Sequence, residues 1–216
     1  MSKPLKIDFV SDLACPWCII GLRGLEIALE RTAPSVDAEI IFHPFELNPD
    51  MEPGGENIVE HVGRKYGYTP EQSAASRVTL RQRAADVGFT WAGTENSRMY
   101  NTFDAHRLLF WAREQGKQHE LEKRLFKANF TEQRNLSDHE VLIEAAADIG
   151  LSKAEAADVL SSGRYAHEVK VAEGYWQARG IQGVPAIIFN DKYLVSGAQP
   201  PEAFQRMIEE ISLETA

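Results

Sequence analysis

The chain contains two cysteines, Cys15 and Cys18, three positions apart in the stretch "SDLACPWCII". Such a pair can ligate a metal, lie buried as two small apolar residues, or exchange disulfides. A zinc site needs four ligands, and there is no second cysteine pair; His43 and His106 are not in a ligand-like spacing with a partner. Haem attachment through this motif would need histidine at position 19, which is Ile19. Simple burial accounts neither for Pro16 between the cysteines nor for their place where a strand gives way to a helix. The pattern therefore points to thiol–disulfide chemistry.

Placement supplies the physical reason. A thiol at the first turn of a helix faces unpaired backbone N–H groups and the positive end of the helix dipole, and both favour the thiolate. Cys15, at the mouth of the helix, is expected to be the exposed nucleophile. Cys18, one turn inward on the same face, is expected to be the resolving thiol, close enough to release a mixed disulfide without unfolding the helix.

The elements around the pair follow from pattern. "LKIDFV" reads as a buried strand, and Pro16 suits the first turn of the helix that continues through "IIGLRGLEIALERT". Gly21 and Gly24 weaken that helix and suggest close packing against it. "AEIIFHPFEL" is a second strand, so the strand–helix–strand order implies a parallel pair. From residue 57 only helices are expected. Thr69, Pro70 and Gln72 form a capped start and Gly88 a stop; "SRMYNTFDAHRLLFWAREQG" and "KQHELEKRLFKANF" follow. Ser137 with Glu140, and Ser152 with Glu155, each fit a capping box. Then come a helix ending at Gly180, a hairpin around Asn190-Asp191-Lys192, a tight turn over Gly197 to Pro201, and a last helix opened by Pro201. The fold class is α/β: a thioredoxin-like core (β-α-β … α-β-β-α) over 1–56 and 163–216, with an all-helical insertion over 57–162.

Composition bounds the partners. The 32 acidic and 23 basic residues leave a net charge of −9, which disfavours nucleic acid, whose affinity comes from clustered Lys and Arg. No stretch approaches the ~20 apolar residues that span a bilayer, and the N-terminal stretch lacks a signal-peptide core. A cytosolic location without membrane contact is expected, where a stable structural disulfide is improbable.

Four separated blocks, "SDLACPWCIIGLRGLE", "FHPFELNPDM", "NTFDAHRLL" and "GVPAIIFNDKYLVSGAQPPEAF", make the chain resemble the DsbA-like thioredoxin family, in its FrnE-like branch. The resemblance covers nearly the whole length. It implies Cys15 as nucleophile, Cys18 as resolving thiol, and a cis proline at Pro185 against the cysteine pair. Val184 would then hold an extended substrate segment by strand-like pairing. From the residues alone, Pro185 reads only as an ordinary proline at a strand edge. The sister branch of 2-hydroxychromene-2-carboxylate isomerases and kappa-class glutathione transferases carries serine where this chain has Cys15. The blocks "FELNPD" and "NTFDAHRLL" are implied to line the cleft between core and insertion in both branches.

Asn48, Asn101 and His106 are accordingly candidate substrate-binding residues beside Pro16, Trp17, Val184 and Pro185. Each has a plainer alternative: Asn48 as a turn former before Pro49, and His106 as a hydrogen-bonded structural histidine. Trp17 either covers the disulfide or offers an aromatic surface. Asp12 either repels the thiolate or merely ends the strand. Three functions remain open on sequence. They are a disulfide oxidoreductase or isomerase, a glutathione-dependent isomerase or transferase, and a chaperone-like binder with the cysteines as a redox switch. The partners expected are protein or small-molecule disulfides and glutathione, with the chain a monomer or homodimer. No metal or resident cofactor is expected beyond the Cys15–Cys18 redox pair.

Overall fold

The computed structural model describes residues 3–33 and 35–214. Strand β1 (Lys3–Ser11) leads into helix α1 (Pro16–Thr32) and strand β2 (Val36–Pro44). Then come β3 (Glu56–Asn57), α2 (Ile58–Tyr66), α3 (Pro70–Asp86), β4 (Arg98–Met99), α4 (Phe103–Glu114) and α5 (Gln118–Phe130). The chain continues through α6 (His139–Asp148), α7 (Lys153–Ser162), α8 (Ala166–Ala178), β5 (Ala186–Phe189), β6 (Tyr193–Ser196) and α9 (Pro201–Glu214).

The main sheet has the order β2-β1-β5-β6. β1 and β2 are parallel in register from Lys3–Val36 to Ser11–Pro44, as the crossover through α1 requires, while β5 and β6 pair antiparallel. Alternation along β1 divides the core. Leu5, Ile7 and Phe9 join Ile187, Phe189 and the α9 residues Phe204 and Ile208 on one face; Val10 joins Ala186, Ile188 and Trp176 of α8 on the other. Each fully buried side chain of this size contributes about 1.5–3 kcal/mol. The first cluster continues without a break into Leu80 of α3, Leu108 of α4, and Leu121 and Phe126 of α5, so these helices share the core of the sheet.

The thioredoxin-like α/β class is the one observed. Pro16 sits in the first turn of α1. The expected box at Thr69 is complete, with Thr69 Oγ1 accepting from the Gln72 N–H and the Gln72 side chain accepting from the Thr69 N–H. The hairpin between β5 and β6 places Asn190 and Asp191 at φ of 49° and 58°, the left-handed conformation that Asn and Asp tolerate. Both glycines of α1 mark close approaches: a Cβ on Gly21 would lie 3.2 Å from Pro185 Cγ, and one on Gly24 would lie 2.8 Å from the Gln199 carbonyl oxygen.

Three local expectations need correction. The segment 57–162 is not wholly helical, because β3 and β4 form a two-stranded antiparallel ladder. Arg98 and Met99 are therefore strand, and α4 begins only at Phe103, whose N–H donates to Asn101 Oδ1. The cap of α6 is Asp138 rather than Ser137. Its carboxylate accepts from the Glu140 N–H, and Ser137 Oγ donates instead to the Asn101 carbonyl.

Candidate active site

The turn that carries the cysteines is held by backbone. The Cys15 N–H donates to the Asp12 carbonyl at 2.9 Å and the Cys18 N–H to the Cys15 carbonyl at 3.0 Å. Cys15 is the N-cap of α1 and makes no side-chain capping bond, so its sulfur is free for other work. Both cysteines are free thiols, and Cys15 Sγ donates to the Val184 carbonyl at 3.6 Å. Cys15 is not exposed as expected: it is 5% accessible, because its sulfur turns toward the Val184 loop at the floor of a cleft. Cys18 is fully buried. Burial pushes its thiol well above the ordinary value, and the adjacent Cys15 sulfur adds to the rise. Cys18 is thus held as a neutral thiol behind Cys15.

A compact polar cluster lies behind the turn. The buried Asp12 carboxylate accepts from the Ala14 N–H at 3.0 Å, the Thr102 hydroxyl at 2.8 Å and the Leu47 N–H at 2.6 Å. It therefore ties together the cysteine loop, the segment after β2 and the start of α4. His106 Nε2 stands 3.7 Å from Asp12 Oδ1, an ion-pair separation too long for a hydrogen bond. Burial opposes the imidazolium, but Asp12, and then Glu122 and Glu46, outweigh it and raise His106 above the ordinary value. Glu122 of α5 accepts from Ser11 Oγ at 2.7 Å. Burial pushes its carboxyl up to about 7, against the pull of Ser11 and of His106.

In front of the turn the insertion closes over a cleft of about 680 Å³, a volume typical of small-molecule sites. Cys15, Pro16, Trp17 and Val184 line it from the core, and Tyr66, Trp91 and Phe130 line it from the helical insertion. Trp17, 38% accessible, presents an aromatic surface at the rim. The Tyr66 hydroxyl is pushed up by burial and then by Cys15 and Asp12, so it remains a neutral donor.

A family model described as a DSBA-like thioredoxin domain matches residues 6–209. The chain belongs to this family. The crystal structure of a probable DsbA oxidoreductase, SCO1869 from Streptomyces coelicolor, is 32% identical with a TM-score of 0.89, over 95% of this chain and 89% of that one. "Uncharacterized protein YwbO" of Bacillus subtilis (strain 168) is 25% identical over 207 residues, 95% of this chain and 96% of that protein. At 17% identity and a TM-score of 0.64, the fold is also shared with the cytosolic disulfide reductase DsbM from Pseudomonas aeruginosa with GSH, over 95% and 98% of the two chains.

Within this DsbA-like chain the Val184–Pro185 peptide is cis. Pro185 is buried behind Val184, beside Gly21. Of the residues singled out from sequence, Cys15, Pro16, Trp17, Asn48 and Val184 meet at the cleft; Asn101 and His106 do not line it. Asn101, just before the Thr102 N-cap of α4, accepts from the Phe103 N–H and donates from Nδ2 to the Pro49 carbonyl at 3.4 Å, while His106 is buried beside Asp12. The block "NTFDAHRLL" therefore supports the cysteine turn from behind rather than lining the cleft. Sequence reasoning missed Thr102, Glu122, Tyr66, Trp91 and Arg77. Their signal was weak because Tyr66, Arg77 and Glu122 on helices read first as ordinary surface or core, while Trp91 and Thr102 lie outside helices where no period marks them.

Proposed function

We propose that the chain is a cytosolic thiol–disulfide oxidoreductase in which Cys15 attacks and Cys18 resolves. The observation that carries this reading is the asymmetry of the pair: Cys15 at the floor of the cleft beside Val184, and Cys18 sealed behind it as a thiol. The Cys15 thiolate attacks one sulfur of a substrate disulfide, forming a mixed disulfide and releasing the other half as a thiolate. Cys18 gives up its proton and attacks Cys15, expelling the second half; the substrate gains two electrons and the protein gains the Cys15–Cys18 disulfide. The reverse sequence oxidises a dithiol. The cytosolic setting, and glutathione as a thiol partner, are part of the proposal; likeness in fold to DsbM with GSH supports both.

The test is trapping. Cys18→Ser incubated with a disulfide substrate is expected to accumulate a mixed disulfide at Cys15, seen by intact mass, while Cys15→Ser accumulates none. Exchange by Cys15→Ser at the wild-type rate would overturn the assignment. In glutathione redox buffers the wild type is expected to interconvert between dithiol and internal disulfide. A stable glutathione adduct without an internal disulfide would favour the glutathione-dependent isomerase or transferase instead. Substrate-protein binding indifferent to both substitutions would favour the chaperone-like binder.

A further inference from the structure

The donor and charge inventory of the cleft is one-sided. The chain carries 32 aspartates and glutamates, yet none is among the described residues that line the cleft, whereas Arg77 and Arg98 are. Arg77, half-buried on α3, donates from Nη1 to Ser73 Oγ at 2.8 Å and has no carboxylate partner among the described residues. Arg98 spends its Nε and Nη2 on the carbonyls of Gly54 and Gly55, so its charge too is uncompensated by an acid. Some arginines outside the cleft are paired, Arg64 with Glu56, Arg107 with Asp104 and Arg124 with Asp148, so what marks Arg77 and Arg98 is their place in a cleft with no acid among its described lining residues.

A second, independent observation lies in the part of the lining that the insertion supplies. Trp91 is 9% accessible and its Nε1–H has no acceptor. Its ring is tightly seated, since a Cβ on Gly93 would lie 2.2 Å from it, and the Arg81 guanidinium covers its face at 5.8 Å from the ring centroid. The Nδ2 of Asn48 is likewise buried without an acceptor. An indole N–H can only donate, as can an amide nitrogen and a guanidinium. A buried donor left unpaired is destabilising, so the site gains most from a ligand that brings acceptor oxygens. The remaining walls, with Tyr66, Leu80 and Phe130, suit an apolar or aromatic body.

We propose that the disulfide exchanged at Cys15 is carried by a small organic acid, a carboxylate with an apolar or aromatic body, whose anionic end is received by Arg77 and the Trp91 N–H. This rests on the exchange reading above. It places the substrate's sulfur at Cys15 and its carboxylate across the cleft, on the insertion. The local cations also counter the net charge of −9, which otherwise repels such a ligand. The products are two thiols, one carrying the carboxylate, and the protein's internal disulfide.

The test compares one disulfide in two charge states: bis(carboxynitrophenyl) disulfide and its neutral bis-amide. Each rate with the protein is divided by that probe's rate with mercaptoethanol, which removes intrinsic reactivity. The acceleration for the dicarboxylate is expected to exceed that for the bis-amide by about tenfold at low salt. The excess should collapse near 1 M salt, where the screening length falls to about 3 Å. Arg77→Gln is expected to lower the ratio of the two accelerations by about fivefold. Equal accelerations, or a larger one for an extended cystine-bridged peptide, would overturn the proposal. A separate measurement keeps the two readings apart: sulfur-free nitrobenzoate is titrated into Cys15→Ser protein and followed by tryptophan quenching. If neither disulfide is accelerated but nitrobenzoate binds and Arg77→Gln weakens it, the exchange reading fails while the ligand class stands. Absence of nitrobenzoate binding overturns the ligand class.

Discussion

In front of the cysteine turn is a cleft of about 680 Å³ with no carboxylate among its described lining residues. Behind the same turn Asp12, Glu122, Glu46 and His106 are packed together, each no more than 7% accessible. The contrast follows from water. Cations such as Arg77 and Arg98 at an open cleft keep access to water until a ligand arrives, so they cost little and remain available. Charges sealed behind the turn have no water, so Asp12 needs three protein donors, and Glu122 is pushed toward its neutral form. Substitutions behind the turn should therefore change stability, and those in front should change reactivity.

The largest effect is expected at Asp12. Asp12→Ala leaves the Ala14 and Leu47 N–H groups and the Thr102 hydroxyl without their acceptor, and His106 without its counter-charge. A loss of about 3–5 kcal/mol is expected in urea unfolding. A loss under about 1 kcal/mol would mean that water reaches the cluster, and the contrast would fail.

Glu122→Gln tests the same side through pH. The folded carboxyl sits at about 7 against an ordinary 4.5, so folding favours its protonated form. That contribution is fully present below about pH 4.5 and is lost as pH rises through about 7. The amide keeps the neutral shape at every pH. The variant should match wild type near pH 4 and exceed it by up to about 3 kcal/mol at pH 8. A pH-independent difference would show that Glu122 does not titrate in this range.

The smallest effect is expected in front. Arg77→Gln removes a charge from an open wall and should move unfolding by less than about 0.5 kcal/mol, while changing probe selectivity as described above. A large loss of stability would make Arg77 structural and blur the two sides.

Much of the architecture was readable because it depends on neighbours in the chain. The Pro16 start of α1, the Thr69–Gln72 box and the Asn190-Asp191 turn are decided within a few residues, where φ preference and side-chain-to-backbone bonds act. Where two adjacent residues compete for one role, local pattern is weaker: Ser137 and Asp138 both qualify as a cap, and Asp138 takes it while Ser137 Oγ turns to the Asn101 carbonyl. The two-residue ladder of Glu56–Asn57 with Arg98–Met99 is too short for any period to register.

The site divides along the same line. By itself the sequence determined the Cys15–Cys18 spacing and its place at a helix mouth, which follow from short-range spacing and turn chemistry; that Pro185 faces the pair was implied only by the family resemblance. Only the tertiary structure decided that Ser11 meets Glu122, that Asp12 meets Thr102 and His106, and that Arg77 and Trp91 share a cleft with Cys15. A glutamate within "KQHELEKRLFKANF" reads as one more solvated charge on an amphipathic helix. Its burial comes from α5 packing against β2 and α1, and contacts between such distant segments are set by which faces share the core rather than by any local pattern.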